Sequence, residues 1–209
     1  MKDSITLAMT GASGMAYGLR LLDCLLGAGR PVNLLVSAAA QVVMAMETEV
    51  QMGGAPEEMQ AFFSQRFQAR PGQLRVYGKM QWTAPIASGS SVPEAMVVCP
   101  CTSGTLAAIA CGTSDNLLER AADVMLKERR RLILVPREMP LSTIHLEHML
   151  SLSRMGVVIM PACPGFYHRP AAIEDLVDFV VARILDHLGV AHDLLPCWGE
   201  PGAPGGDSG

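Results

Sequence analysis

Thr10-Gly11-Ala12-Ser13-Gly14 is a run of small and hydroxyl-bearing residues whose natural chemistry is that of an anion cradle. Gly11 and Gly14 permit a close backbone approach or a positive φ, and the Ser13 hydroxyl can cap a helix or bond a ligand oxygen. A second run of the same kind, Pro100-Cys101-Thr102-Ser103-Gly104-Thr105, lies later in the chain. Such turns bring backbone N–H groups and a helix start up to a phosphate or a flavin edge. Neither run is the Gly-x-Gly-x-x-Gly dinucleotide pattern, and Gly-x-x-x-x-Gly-Lys is also absent. Basic residues gather at Lys127-Glu128-Arg129-Arg130-Arg131 and read as a solvated helix end that complements the helix dipole. His145 and His148 stand one helical turn apart with nothing beside them to complete a metal site, so they read as helix-surface histidines. Cys24, Cys99, Cys101, Cys111, Cys163 and Cys197 show no metal spacing and read as reduced, small apolar fillers.

Strands and helices must hold these residues in place. Ile5-Thr6-Leu7-Ala8-Met9 reads as a buried first strand, and Tyr17, Leu19, Leu21, Leu22, Leu25 and Leu26 follow at helical spacing. Further strands are predicted over 32–36, 74–77, 95–99, 132–135 and 157–160. Helices are predicted from Ser37 to about 46, up to Phe67, over 106–111, 116–130 and 142–154, and over 171–188. Residues 78–93, with Trp82, Pro85 and Ser88-Gly89-Ser90-Ser91, read as a long functional loop. Strands alternating with helices imply an α/β protein: a Rossmann-like doubly wound parallel sheet in a three-layer α/β/α sandwich. Ligands in such folds bind beyond the carboxyl ends of the strands, where the strand order reverses. The unusual loops all follow strands, which places the binding site at that edge.

A chain of 209 residues reads as one domain over 1–198, with a Gly- and Pro-rich tail over 199–209 expected to be disordered. Half of the residues are hydrophobic, 17% are charged, and the mean hydropathy is +0.28. That leaves little charged surface for a monomer, so a homo-oligomer is expected. The net charge of −4 argues against a nucleic-acid surface. No apolar run approaches a membrane span and the first residues lack a signal-peptide layout, so a cytoplasmic location is expected.

Taken in order along the chain, these motifs resemble the flavin prenyltransferases of the UbiX type, within the flavin-binding cysteine-decarboxylase-like flavoproteins. The resemblance is carried by Thr-Gly-Ala-Ser-Gly with Tyr17-Gly18, Cys-Pro-Cys-Thr-Ser-Gly-Thr-Leu, and Asp115-Asn116-Leu117-Leu118-Glu119-Arg120-Ala121-Ala122-Asp123. Lys127-Glu128-Arg129-Arg130, Val135-Pro136-Arg137-Glu138-Met139-Pro140 and Pro164-Gly165-Phe166-Tyr167 complete it. It implies transfer of a dimethylallyl group from dimethylallyl phosphate to reduced FMN, at N5 and then C6, without a metal. The prenylated FMN would serve a partner decarboxylase of the UbiD type, for example in ubiquinone biosynthesis. Dodecamers with sites built between subunits are also implied.

Carried onto this chain, the resemblance assigns Gly11, Ala12, Ser13, Ser37, Thr102, Ser103, Gly104, Thr105 and Arg137 to FMN. Tyr167 and Arg183, with Arg120 and Lys127 nearby, would hold the prenyl phosphate. Glu47 and Glu138 are the candidate acid–base groups, Lys127 is a further catalytic candidate, and Trp82 would face the prenyl group, where an aromatic ring favours an allylic cation. The nearest rival is an FMN-dependent decarboxylase of the phosphopantothenoylcysteine type, which uses a histidine near the flavin and a Pro-x-Met-Asn segment. This chain has Pro136-Arg137-Glu138-Met139-Pro140 in that place, and no histidine before His145. A non-catalytic flavin carrier is the other alternative.

Overall fold

The computed structural model describes residues 3–195, so the tail over 199–209 and Cys197 lie outside the described residues. Six strands form one parallel sheet: β1 (Ile5–Met9), β2 (Val32–Val36), β3 (Leu74–Tyr77), β4 (Ala95–Cys101), β5 (Arg131–Pro136) and β6 (Val158–Ile159). Their spatial order is β3-β2-β1-β4-β5-β6, so the order reverses between β1 and β4. Strands with both faces covered must be apolar on both. Accordingly, Ile5, Leu7 and Met9 enter one core while Ala8 enters the other. In β4, Ala95, Val97 and Cys99 face the first core, and Met96 and Val98 face the second.

The first core is closed by α1 (Met15–Gly27), α2 (Ala38–Glu47), α3 (Pro56–Arg66) and α7 (Ile173–Leu188). The second is closed by α4 (Ser103–Cys111), α5 (Leu117–Lys127) and α6 (Thr143–Arg154). Side chains favoured for helix starts set four of the helix beginnings. Ser37 accepts from the Ala40 N–H at 3.0 Å, Thr102 from Thr105 at 3.1 Å, Asn116 from Glu119 at 3.0 Å, and Ser142 from His145 at 3.3 Å.

The expected α/β architecture is therefore observed, with changes at element ends. β4 runs on to Cys101, because a register shift after Val98 lets Cys101 pair with Pro136. Helix α4 consequently starts at Ser103, directly on the Thr102 cap, rather than at Leu106. Residues 78–93 are more ordered than a plain loop: two short 3₁₀ turns, Pro85–Ala87 and Gly89–Ser91, form there, and the first packs on α5. Cys99 and Cys101 are buried as expected of fillers, but Cys111 and Cys163 are exposed. The His145 ring is half-buried and caps its own helix, its Nδ1 accepting from the Ser142 N–H at 3.2 Å. Among the described residues no helix is long and apolar enough to cross a membrane. Val42 and Met46 on α2, and Ile144, Leu146 and Leu150 on α6, stand exposed. Apolar faces of that kind are the surface that subunit contacts cover.

Candidate active site

Thr10 joins the two halves of the sheet where the strand order reverses. Its hydroxyl donates to the Pro100 carbonyl at 2.8 Å and accepts from the Thr102 N–H at 2.8 Å. Its own N–H also donates to the Pro100 carbonyl, at 3.1 Å. One buried side chain thus ties the Gly11–Gly14 turn after β1 to the Thr102 turn after β4. Thr10→Val keeps the shape but leaves the Thr102 N–H without its acceptor, a loss of about 1–3 kcal/mol. Urea titration of this variant is expected to show a lower midpoint at an unchanged slope. A wild-type midpoint would mean that the bridge contributes nothing.

Beyond Thr10 lies a cavity of about 210 Å³. It is lined by Thr10, by Ser37, Ala38 and Ala39 at the start of α2, by Thr105 at the start of α4, and by Asn116 and Glu119 at the start of α5. Leu35, Tyr77 and Leu118 form its apolar wall, and Lys79 stands at its edge. Three helix N-termini converge there, each carrying partial positive charge and N–H groups turned outward. The surroundings are open where a ligand must approach: a Cβ added at Gly104 would meet only Thr102 Oγ1, at 4.0 Å. They are tight where the scaffold must close. A Cβ at Gly11 would come within 2.5 Å of Ala39 Cβ and 3.2 Å of the Ala39 carbonyl carbon.

Ser13, Glu47 and Arg137 form a second group at the same edge. One oxygen of Glu47 accepts from the Gly14 and Met15 N–H groups, at 2.8 and 2.9 Å. The Glu47 carboxylate thus covers the two amides that follow Gly11, Ala12 and Ser13, the positions expected to meet a ligand. Its position at the start of α1 is the one a helix dipole favours for an anion. Arg137 Nε donates to the Ser13 carbonyl at 3.3 Å. Burial raises the Glu47 carboxyl, but the Ser13 side chain, the Met15 and Gly14 amides and the Arg137 charge outweigh it and hold the group below its ordinary value. Glu47 is therefore ionised at neutral pH, with one oxygen already accepting two amide hydrogens. Glu138 follows Arg137 at this edge and is exposed.

The four candidates for the prenyl phosphate do not meet within one chain. Arg120 and Lys127 are on α5, which packs on the second core, while Arg183 is on α7, which packs on the first. The sheet lies between them. Arg120 donates to the Ala87 carbonyl at 3.1 Å and to Asp123 at 2.6 Å. Lys127 pairs with Glu128 at 2.5 Å, beside Gly89. Arg183 pairs with Asp186 at 2.6 Å. Tyr167 stands exposed in the segment before α7, its ring against Gly165. Within one chain the sheet separates Arg120 and Lys127 from Arg183, and Tyr167 lies in the segment before α7, so the expected grouping is one that neighbouring subunits would have to build. Trp82 is 44% exposed, between β3 and the first 3₁₀ turn.

Sequence reasoning passed over Tyr77, Lys79 and Asn116 as cavity residues. Asn116 carried a signal in its position three residues before Glu119, a helix-start pattern, whereas Lys79 looked like any surface lysine.

Small residues, hydroxyls, open helix starts and a fixed guanidinium suit the phosphate and polar edge of a flavin mononucleotide. An α/β sheet with this site at its strand-order reversal defines a flavin-binding protein of the Rossmann-like class. The Flavoprotein family model matches residues 1–185. The flavin prenyltransferase UbiX of Pseudomonas aeruginosa is 63% identical over 198 residues, covering 95% of each chain. The structure of AnUbiX in complex with FMN and dimethylallyl pyrophosphate superposes with a TM-score of 0.84 at 39% identity, over 95% of this chain and 98% of that one. A dodecameric FMN-dependent UbiX-like decarboxylase from Escherichia coli O157:H7 superposes with a TM-score of 0.82 at 41% identity, over 93% and 98%. The chain belongs to the UbiX family of flavin prenyltransferases, within the flavoproteins.

Proposed function

We propose that this protein transfers the dimethylallyl group of dimethylallyl phosphate to reduced FMN and releases prenylated FMN. The observation that carries this reading is 63% identity to a flavin prenyltransferase along 95% of the chain. The cradle at the strand-order reversal supports it. Reduced FMN supplies the nucleophilic N5, and then C6, that take up the prenyl group.

The chain's own residues bind, orient and handle charge. We assign the FMN to Gly11, Ala12, Ser13, Ser37, Thr102, Ser103, Gly104, Thr105 and Arg137, where hydroxyls and amides meet its oxygens. We assign the Glu47 carboxylate, braced by two amides, as the acid–base candidate at the flavin edge. Glu138 is the second acid–base candidate, beside Arg137 at the same edge. Arg183 and Tyr167, completed by Arg120 and Lys127 of neighbouring copies, hold that phosphate and offset the charge developing on it. Trp82 lends an aromatic face to the allylic cation. The division of these residues between opposite layers supports a homo-oligomer, of the dodecameric kind seen in the E. coli relative. We place the protein in the cytoplasm, handing its product to a UbiD-type decarboxylase of the kind that serves ubiquinone biosynthesis.

Four cationic and phenolic side chains meet the leaving phosphate in this scheme. Among the described residues no group of three or more His, Cys, Asp or Glu could hold a metal. Anaerobic incubation with reduced FMN and dimethylallyl phosphate in excess EDTA is therefore expected to yield a flavin heavier by one prenyl unit, with altered absorbance. Recovery of unchanged FMN, with and without EDTA, overturns the proposed activity. Loss of product on chelation, restored by magnesium, overturns the metal-free scheme alone. Dimethylallyl pyrophosphate run in parallel tests the choice of donor, since that is the compound present with AnUbiX.

A further inference from the structure

Resting on the FMN reading above, we propose that Lys79 is a phosphate-binding residue, its ammonium pairing with the phosphate end of the flavin mononucleotide in the cavity beyond Thr10. The lining of that cavity contains one cation, Lys79, and one acid, Glu119. Glu119 is turned back on its own helix start, where its Oε2 accepts from the Asp115 N–H at 2.8 Å. Lys79 has no ion-pair partner among the described residues, whereas Arg20, Arg30, Arg120, Lys127 and Arg183 are all paired with carboxylates.

The backbone keeps this lysine at the cavity. Its carbonyl accepts from the Leu117 N–H at 2.8 Å, which pins residue 79 to the first turn of α5, next to Asn116. The Ser37 and Asn116 side-chain oxygens accept from their own helices and so do not neutralise a ligand's charge. The helix starts supply partial positive charges only, about half an elementary charge each, and a phosphate monoester carries up to two negative charges near neutral pH. A full charge at the rim makes up part of that difference. Leu35, Tyr77 and Leu118 form the apolar side of the cavity, while Lys79 itself is exposed, so its attraction for a phosphate is screened by salt.

The phosphate itself provides the control, because riboflavin is the same flavin without it. Lys79→Gln is expected to weaken FMN binding about tenfold at low salt, the scale of one charge-assisted contact. Riboflavin binding should change by less than about twofold, since the lost contact is to the phosphate. Lys79→Arg should restore most of the FMN affinity. The salt dependence of FMN binding, a second reading that needs no riboflavin titration, should be shallower in Lys79→Gln. Equal losses for FMN and riboflavin, no loss for FMN, or an unchanged salt dependence each overturn the assignment. Failure of the wild-type protein to bind FMN instead removes the flavin reading on which the assignment rests.

Discussion

Lys127→Ala and Arg183→Ala proteins, each nearly inactive alone, are expected to regain prenyl transfer when assembled into mixed oligomers. The expectation follows from the layers: Lys127 lies on α5 and Arg183 on α7, with the sheet between them. One donor phosphate cannot be held by both unless they come from different copies. On the proposed assignment each substitution removes a charged contact to the leaving phosphate, worth about 1.5–3 kcal/mol or more in the transition state, which is a ten- to hundredfold loss. Neither should unfold the protein, because the Lys127–Glu128 and Arg183–Asp186 pairs are exposed ion pairs of small net worth. In a random one-to-one assembly, about one quarter of sites would draw a wild-type residue from both contributing copies. Co-expression with two different tags, tandem purification and a turnover assay give the measurement. Mixed oligomers no more active than the better parent would show that the two residues do not share a site between subunits. Full activity in either parent would remove that residue from the phosphate site.

Gly11→Ala is expected to weaken FMN binding by about a hundredfold, because the added methyl pushes the turn after β1 away from the start of α2. The added methyl would lie 2.5 Å from Ala39 Cβ, and neither that atom nor the neighbouring Ala39 carbonyl carbon belongs to a flexible side chain. Either the turn after β1 or the start of α2 must shift, and the Ser37 cap moves with it. Overpacking of this kind also costs about 1–3 kcal/mol of stability, so circular dichroism and a urea midpoint should accompany the titration. Gly104→Ala is the counterpart. Its Cβ would meet only Thr102 Oγ1 at 4.0 Å, so the variant should fold as the wild type does. Any FMN lost by Gly104→Ala therefore reports the closeness of the ligand to α4 rather than damage to the scaffold. FMN affinity within twofold of wild type in Gly11→Ala would contradict the cradle described here.

Much of the fold could be read from local pattern. The apolar runs of β1, β2, β4 and β5 are long enough, and flanked by clear enough helix caps, to specify a parallel α/β sheet without tertiary information. Ser37, Thr102, Asn116 and Ser142 each cap a helix, since a cap depends only on residues within one turn. The ends of β4 and α4 were harder, because the pairing of Cys101 with Pro136 is set by a neighbouring strand.

The site divided along the same line. Residue types and spacing marked the two small-residue turns as an anion cradle, because backbone exposure and capping are local properties. That the Thr10 hydroxyl bridges those turns, that Glu47 rather than a ligand covers the Gly14 and Met15 amides, and that Lys79 meets Asn116 at one cavity are facts about segments distant in sequence. The separation of Lys127 from Arg183 is of the same kind: both are cations on amphipathic helices, and only the handedness of the crossovers decides which face of the sheet each helix covers. Local pattern set the elements and the chemistry of their ends; the packing of the sheet decided which of those ends face one another, because contacts between segments far apart in the chain leave no local pattern.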